Sequence, residues 1–259
     1  MYARLLQRPA KSFFLFGPRG TGKSVWLDQV LADAKLKINL LKSREYLKYK
    51  QSPALLAQEV LALDKGAWII IGEVQKLPEL LDEVHALLFE SNHGYQFALS
   101  GSSARKLKQS QANMLAGRAL TKRMFPLSLL ETEADFELDQ ALCHGRLPMT
   151  VTADSWHDRV EFLDAYVETY LREEIQQEAL VRNLDSFFRF LSVAALINGQ
   201  ILNISNIARE VGVARSTVQG YFSILEDTLL GWYLPAFRNR AKVKEVAHSK
   251  FYLFDCGVQ

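Results

Sequence analysis

The stretch that most limits what this chain can fold into is GPRGTGKS, Gly17 to Ser24, entered from the wholly apolar run SFFLF, Ser12 to Phe16. An uninterrupted apolar run of this length reads as a strand buried on both faces. Past the loop, Val25 to Leu31 (VWLDQVL) has the spacing of an amphipathic helix. A glycine-rich turn between a buried strand and a helix N-terminus aims several backbone N–H groups at one spot, where the helix dipole favours an anion. The spacing GxxxxGKS adds a lysine and a hydroxyl. Gly17, Pro18, Arg19, Gly20, Thr21 and Gly22 would wrap phosphate oxygens, Lys23 would place its charge on the β and γ phosphates, and the Ser24 hydroxyl would ligate Mg2+. ATP and Mg2+ are the cofactors this loop implies.

The segments that follow alternate. Lys37 to Leu41 (KINLL), Trp68 to Ile71 and Tyr95 to Gly101 read as further strands. Ser52 is expected to cap a helix that has Pro53 at its first position. Leu77 to Phe89 is expected to be helical, with Leu80, Leu81, Val84, Leu87 and Leu88 at helical spacing. Four strands separated by helices predict an α/β fold of the P-loop NTPase type, a mostly parallel sheet with helices on both faces and the ligand at the carboxyl ends of the strands.

Within AWIIIGEVQKL, Ala67 to Leu77, the apolar run ends at Gly72-Glu73, where a nucleotide hydrolase would carry two adjacent carboxylates. One is present. Glu73 sits where a water-activating glutamate is expected, and Gly72 where a metal-anchoring aspartate would stand. Asp82 and Glu83 lie too far along the next helix to substitute. The other reading of Glu73 is a solvated carboxylate opening that helix.

After Glu131 the strand–helix alternation fades. Asp154 to Leu180 carries a continuous helical pattern, with the charged run Arg172-Glu173-Glu174 fitting a solvated face. Asn203 to Phe222 then has helix-turn-helix spacing: Ala208 is small where two helices cross, Gly212 supplies the turn, and Val218 packs the second helix. Ser205 is expected to cap the first helix, and Arg215, Ser216, Gln219 and Tyr221 to project from the second. Leu229 to Leu234 and Lys250 to Phe254 would form a wing hairpin joined by the basic stretch Arg238 to Lys244. DNA reading would need Arg215 and Gln219 at base edges, and Arg238, Arg240 and Lys242 on phosphates. Packing against the chain's own nucleotide-binding domain or against a protein partner is the alternative. The predicted organisation is a nucleotide-binding domain over residues 1–135, a helical linker over 136–182, and a winged-helix module with the start of a truncated C-terminal domain over 183–259.

These motifs together resemble prokaryotic AAA-like P-loop ATPases in which the ATPase domain is followed by a winged helix and a domain of unknown function. The resemblance rests on GPRGTGKS, on EVQKLPELLDEVH from Glu73, LSGSSARKL from Leu99, LAGRAL from Leu115, PLSLLE from Pro126 and YLREEI from Tyr170, and it spans nearly the whole chain. It implies that Glu73 orients the attacking water, that Ser100 or Ser102 senses the γ phosphate, and that Arg118 is a finger completing a neighbouring subunit's site in a homo-oligomer. A simple turn for Ser100 to Ser103 and a surface ion pair for Arg118 are the plainer readings. Gly72 departs from the family pattern, which has an aspartate before the glutamate. Turnover should suffer more than binding, because the loop backbone and lysine make most of the nucleotide contacts. A slow ATPase with weakened Mg2+ dependence is expected; a nucleotide-responsive binding module that does not hydrolyse is the alternative. Family members usually continue into a nuclease-like domain, so the chain is expected to be a truncation or to have lost that domain.

Composition narrows the remaining classes. A net charge of +2 across 259 residues is too small for the whole surface to attract nucleic acid, so any such binding must come from local clusters. Cys143 and Cys256 lie far apart and in no metal-ligand spacing, which points to a reducing, cytoplasmic setting and away from a zinc site. No apolar run approaches the ~20 residues needed to cross a bilayer. Asp255 alone does not make a metal-dependent nuclease site, which needs several converging carboxylates.

Overall fold

Among the residues that the computed structural model describes, five short strands form one sheet: β1 (Phe13–Phe16), β2 (Leu36–Asn39), β3 (Trp68–Gly72), β4 (Gln96–Gly101) and β5 (Leu120–Arg123), in the order β2-β3-β4-β1-β5. Every pairing is parallel, with Phe13 opposite both Ala98 and Leu120, and Gly72 opposite both Asn39 and Ser100. Parallel neighbours need crossovers. Here these include α1 (Lys23–Val30), α2 (Ser43–Gln51), α3 (Leu55–Leu61) and α4 (Leu80–Glu90). The structure describes residues 2–90, 94–103, 115–172, 175, 184–237 and 249–259. It divides into two units, residues 2–125 and 126–259.

The contiguous apolar runs form strands because both sheet faces are covered. On one face Phe13, Leu15, Trp68, Ile70 and Ala98 pack with Trp26, Leu27 and Leu31 of the α1 segment. On the other, Phe14, Phe16, Ile69, Ile71, Phe97 and Leu99 are just as buried. Each such side chain contributes about 1.5–3 kcal/mol on leaving water, so the central strands anchor the loops at their ends. Two elements differ from the sequence expectation. Ser52 does not open a helix: it follows the last residue of α2, and α3 starts at Leu55 after Ala54. The sheet also has a fifth strand, β5, whose residues are mostly exposed because it lies at an edge.

The unit 126–259 is built from α5 (Leu138–His144), α6 (Pro148–Thr152), α7 (Trp156–Ala165), α8 (Leu184–Leu196), α9 (Ile204–Val211), α10 (Arg215–Asp227) and an antiparallel pair, β6 (Gly231–Leu234) with β7 (Lys250–Leu253). A π-helical turn, Tyr166–Leu171, extends α7. Aromatic rings fill its centre: Phe190 meets Phe222 edge-on at 4.8 Å, and Phe222 meets Phe251 at 4.7 Å. Tyr221 joins them, 5.0 Å from Phe187 and 5.2 Å from Phe190. It is therefore buried, not projecting, because position 221 falls on the same face of α10 as Val218 and Leu225. The cap of α9 is Asn203, whose side chain accepts from the Asn206 N–H, in place of the expected Ser205.

Candidate functional site

The loop Gly17–Ser24 leaves the carboxyl end of β1 and enters α1. Three features fix its shape. Gly17 is pressed against the backbone just past β5, where a Cβ would lie 2.0 Å from the Met124 carbonyl oxygen, and its N–H donates to the Gly101 carbonyl at 3.3 Å. Gly20 and Gly22 have φ of 76° and 87°, the left-handed region that side-chain-bearing residues enter at a cost. The Thr21 hydroxyl, fully buried, donates to the Pro18 carbonyl at 2.9 Å. Inside this ring the Lys23 ammonium donates to the carbonyls of Gly17 at 2.6 Å and Pro18 at 2.9 Å, which brings a positive charge to the loop's centre. Arg19 is half-buried, and Ser24 is exposed in the first turn of α1.

A nucleotide triphosphate with its Mg2+ fits this donor set. A close-approach glycine, left-handed turns, a central ammonium and an exposed hydroxyl at a helix N-terminus are what phosphate oxygens and their metal require. Mg2+ takes few protein ligands and keeps waters and phosphate oxygens; Ser24 would supply the hydroxyl.

The carboxyl ends of β3 and β4 lie on the same edge of the sheet. β4 pairs directly with β1, and β3 with β4, so neighbouring backbones run about 4.8 Å apart. Gly72 is the last residue of β3 and pairs with Ser100. A Cβ on Gly72 would meet only ordinary contacts, 3.6 Å to the Ile38 carbonyl and 3.7 Å to Ser100 Oγ. Glu73 follows with φ 59° and ψ 45°, a left-handed conformation in a residue that has a side chain. Its carboxylate accepts from Gln75 Nε2 at 2.8 Å, and the same Nε2 lies 3.0 Å from Ser102 Oγ. Ser100 and Ser102 are both buried at the end of β4.

Glu73, Ser100, Ser102 and the phosphate loop thus gather at one sheet edge. Arg118 lies elsewhere in its bonding: its exposed guanidinium sits 3.3 Å from His85 Nε2 and 5.2 Å over the Phe89 ring, both on α4. In the other unit Arg215 and Gln219 are exposed on α10. Arg238, Arg240 and Lys242 lie outside the described residues. Gln75 is the site residue that sequence reasoning missed. An amide two positions after a glutamate carries no pattern of its own; only its burial and bonding single it out.

Residues 9–133 match the family model described as AAA domain. That match covers just under half of the chain and takes in the parallel sheet and the glycine-rich loop, so this segment is similar to AAA domains with a phosphate-binding loop. Residues 135–259 match a domain of unknown function, DUF8612. Among curated relatives, an uncharacterized protein of Mycobacterium tuberculosis is 27% identical over 205 residues, covering 78% of this chain and 46% of that protein. An uncharacterized protein of Haemophilus influenzae is 23% identical over 270 residues, covering 94% of this chain and 67% of its own length. The chain therefore spans about half the length of the mycobacterial relative. A solved structure of a Thermotoga maritima RuvB variant aligns with a TM-score of 0.41 and 11% identity, over 87% of this chain and 82% of that one. Among the described residues, no helix is long and apolar enough to cross a membrane.

Proposed function

We propose that this protein binds ATP with Mg2+ at Gly17–Ser24 and hydrolyses it slowly, Glu73 orienting the attacking water. The observation that carries this reading is the Glu73 carboxylate held by Gln75 at the sheet edge from which the phosphate loop leaves. In this scheme the loop N–H groups and Lys23 bind the phosphates, and Ser100 or Ser102 contacts the γ phosphate from the end of β4. Mg2+, when bound, neutralises charge on the phosphates. Arg118 is exposed, as a finger reaching a neighbouring copy would need to be. Slowness follows from Gly72, which offers the metal no carboxylate.

The second reading is a non-hydrolysing, nucleotide-responsive module, and Gly72 is the observation that favours it. In both readings α9, α10 and the β6–β7 hairpin act as a winged helix. The exposed polar face of α10, with Arg215, Ser216, Gln219 and Ser223, supports a DNA or protein partner there. We assign the protein to the cytoplasm on its cysteine usage.

Phosphate release and nucleotide affinity, measured on the chain, on Glu73→Gln and on Lys23→Ala, test the proposal. Hydrolysis predicts a fall of about 10²–10⁴ in rate for Glu73→Gln with binding retained, the scale of a lost acid–base group. Lys23→Ala should lose binding. Release unaffected by Glu73→Gln would favour the second reading.

A further inference from the structure

We infer that Gln75 is the positioning residue for Glu73, a role that rests on Glu73 acting on the attacking water. The side chain is only 7% exposed, and it bridges two candidate residues through one nitrogen: Nε2 lies 2.8 Å from Glu73 Oε2 and 3.0 Å from Ser102 Oγ. An ionised carboxylate only accepts hydrogen bonds, so the amide must turn its NH2 toward Glu73. That orientation sends Oε1 the other way, toward Gly101, where a Cβ would lie 2.5 Å from it. There Oε1 is buried and, among the described residues, has no hydrogen-bond partner.

A buried carbonyl oxygen left without a partner costs about 1–3 kcal/mol, so a fold chosen for stability alone would favour an apolar side chain at position 75. The backbone tells the same story. Glu73 is held in the left-handed region, a cost on the order of 1–3 kcal/mol that structures retain mainly at functional sites. Both departures bear on one carboxylate. The strained backbone aims it and the amide fixes it, leaving its second oxygen to accept from a water. Gly101 completes the device, since any side chain there would displace the amide.

The test is a double-mutant cycle on the full chain: Gln75→Met and Glu73→Gln, singly and together. Turnover and fluorescent-ATP affinity are measured for each, with Lys23→Ala as the blank. Gln75→Glu serves as a second variant, of the same shape but without the donor. Gln75→Met should lower kcat by about 10- to 100-fold, the effect of losing an orienting partner or slightly misplacing a reacting group. ATP affinity should stay within about two-fold, since the amide's hydrogen bonds go to Glu73 and Ser102 and not to the loop, and Gln75→Met should have no further effect in the Glu73→Gln background. Equal losses in both backgrounds, or affinity falling in step with kcat, would overturn the inference and leave Glu73's role intact. A chain whose phosphate release equals the Lys23→Ala blank would overturn the hydrolytic reading itself, and this inference with it.

Discussion

Gly72 and Ser100 face each other across the β3–β4 ladder, and a side chain at position 72 would begin 3.7 Å from the Ser100 hydroxyl. Gly72 does not have a positive φ, so the missing carboxylate is not imposed by the backbone. Gly72→Asp should therefore fold, with unfolding free energy within about 1 kcal/mol of the parent, the range of a mild substitution. Denaturant titration checks this, and a larger loss would show that the position excludes a side chain.

Gly17 is the opposite case. A Cβ on it would lie 2.0 Å from the Met124 carbonyl oxygen, and backbone that directly follows the neighbouring strand β5 cannot step aside cheaply. Gly17→Ala should cost about 1–3 kcal/mol, as overpacking does, and weaken ATP binding by displacing the loop. Paired unfolding and nucleotide-titration curves would show both changes; a stable variant with undiminished affinity contradicts this geometry.

The phosphate loop and the central strands were legible in the sequence because their signals are local: fixed glycine spacing, and apolar runs whose two faces are both buried. Less local features were not. SREYLKYKQ, which forms α2, buries only Tyr49, so it has no apolar stripe to read. Strand β5 is the exposed LTKR segment, and it forms because β1 offers it a parallel edge. The Glu73 side of the site was half legible. The carboxylate could be named from its place after an apolar run, whereas Gln75 becomes visible only when β4 brings Ser102 against it.

On α10 two neighbouring faces should behave differently. Tyr221 packs on Phe187 and Phe190, so Tyr221→Ala should destabilise the unit by about 3–5 kcal/mol, as a large aromatic truncation does. Arg215→Ala and Gln219→Ala, on exposed positions, should stay within about 0.5 kcal/mol. If the module reads DNA, these two variants weaken duplex binding in a salt titration; equal binding by all forms points to a protein partner.

Asp255 predicts a pH dependence of unusual sign. Burial raises its pKa above the ordinary 3.8, outweighing the N–H bonds from Arg146 and Gly257 and the Arg146 charge. A raised acid binds its proton more tightly in the folded state. Its stabilising contribution is therefore complete below 3.8 and is lost as pH rises through the folded value. Asp255→Ala, which leaves two backbone donors unpaired, should cost roughly 1–3 kcal/mol, and the gap from the parent should widen as pH falls from neutrality. Unfolding curves at several pH values check this; a gap that narrows on acidification contradicts it.

ATP affinity and phosphate release, with and without Mg2+, measured for this chain and for Gly72→Asp, test slow hydrolysis at this loop head-on. Both should bind ATP, the parent should release phosphate slowly with little response to Mg2+, and Gly72→Asp should raise the Mg2+-dependent rate on the order of 10–100-fold, the scale of a restored metal partner. A chain that fails to bind ATP, or a Gly72→Asp variant unchanged in both rate and Mg2+ response, would contradict this reading.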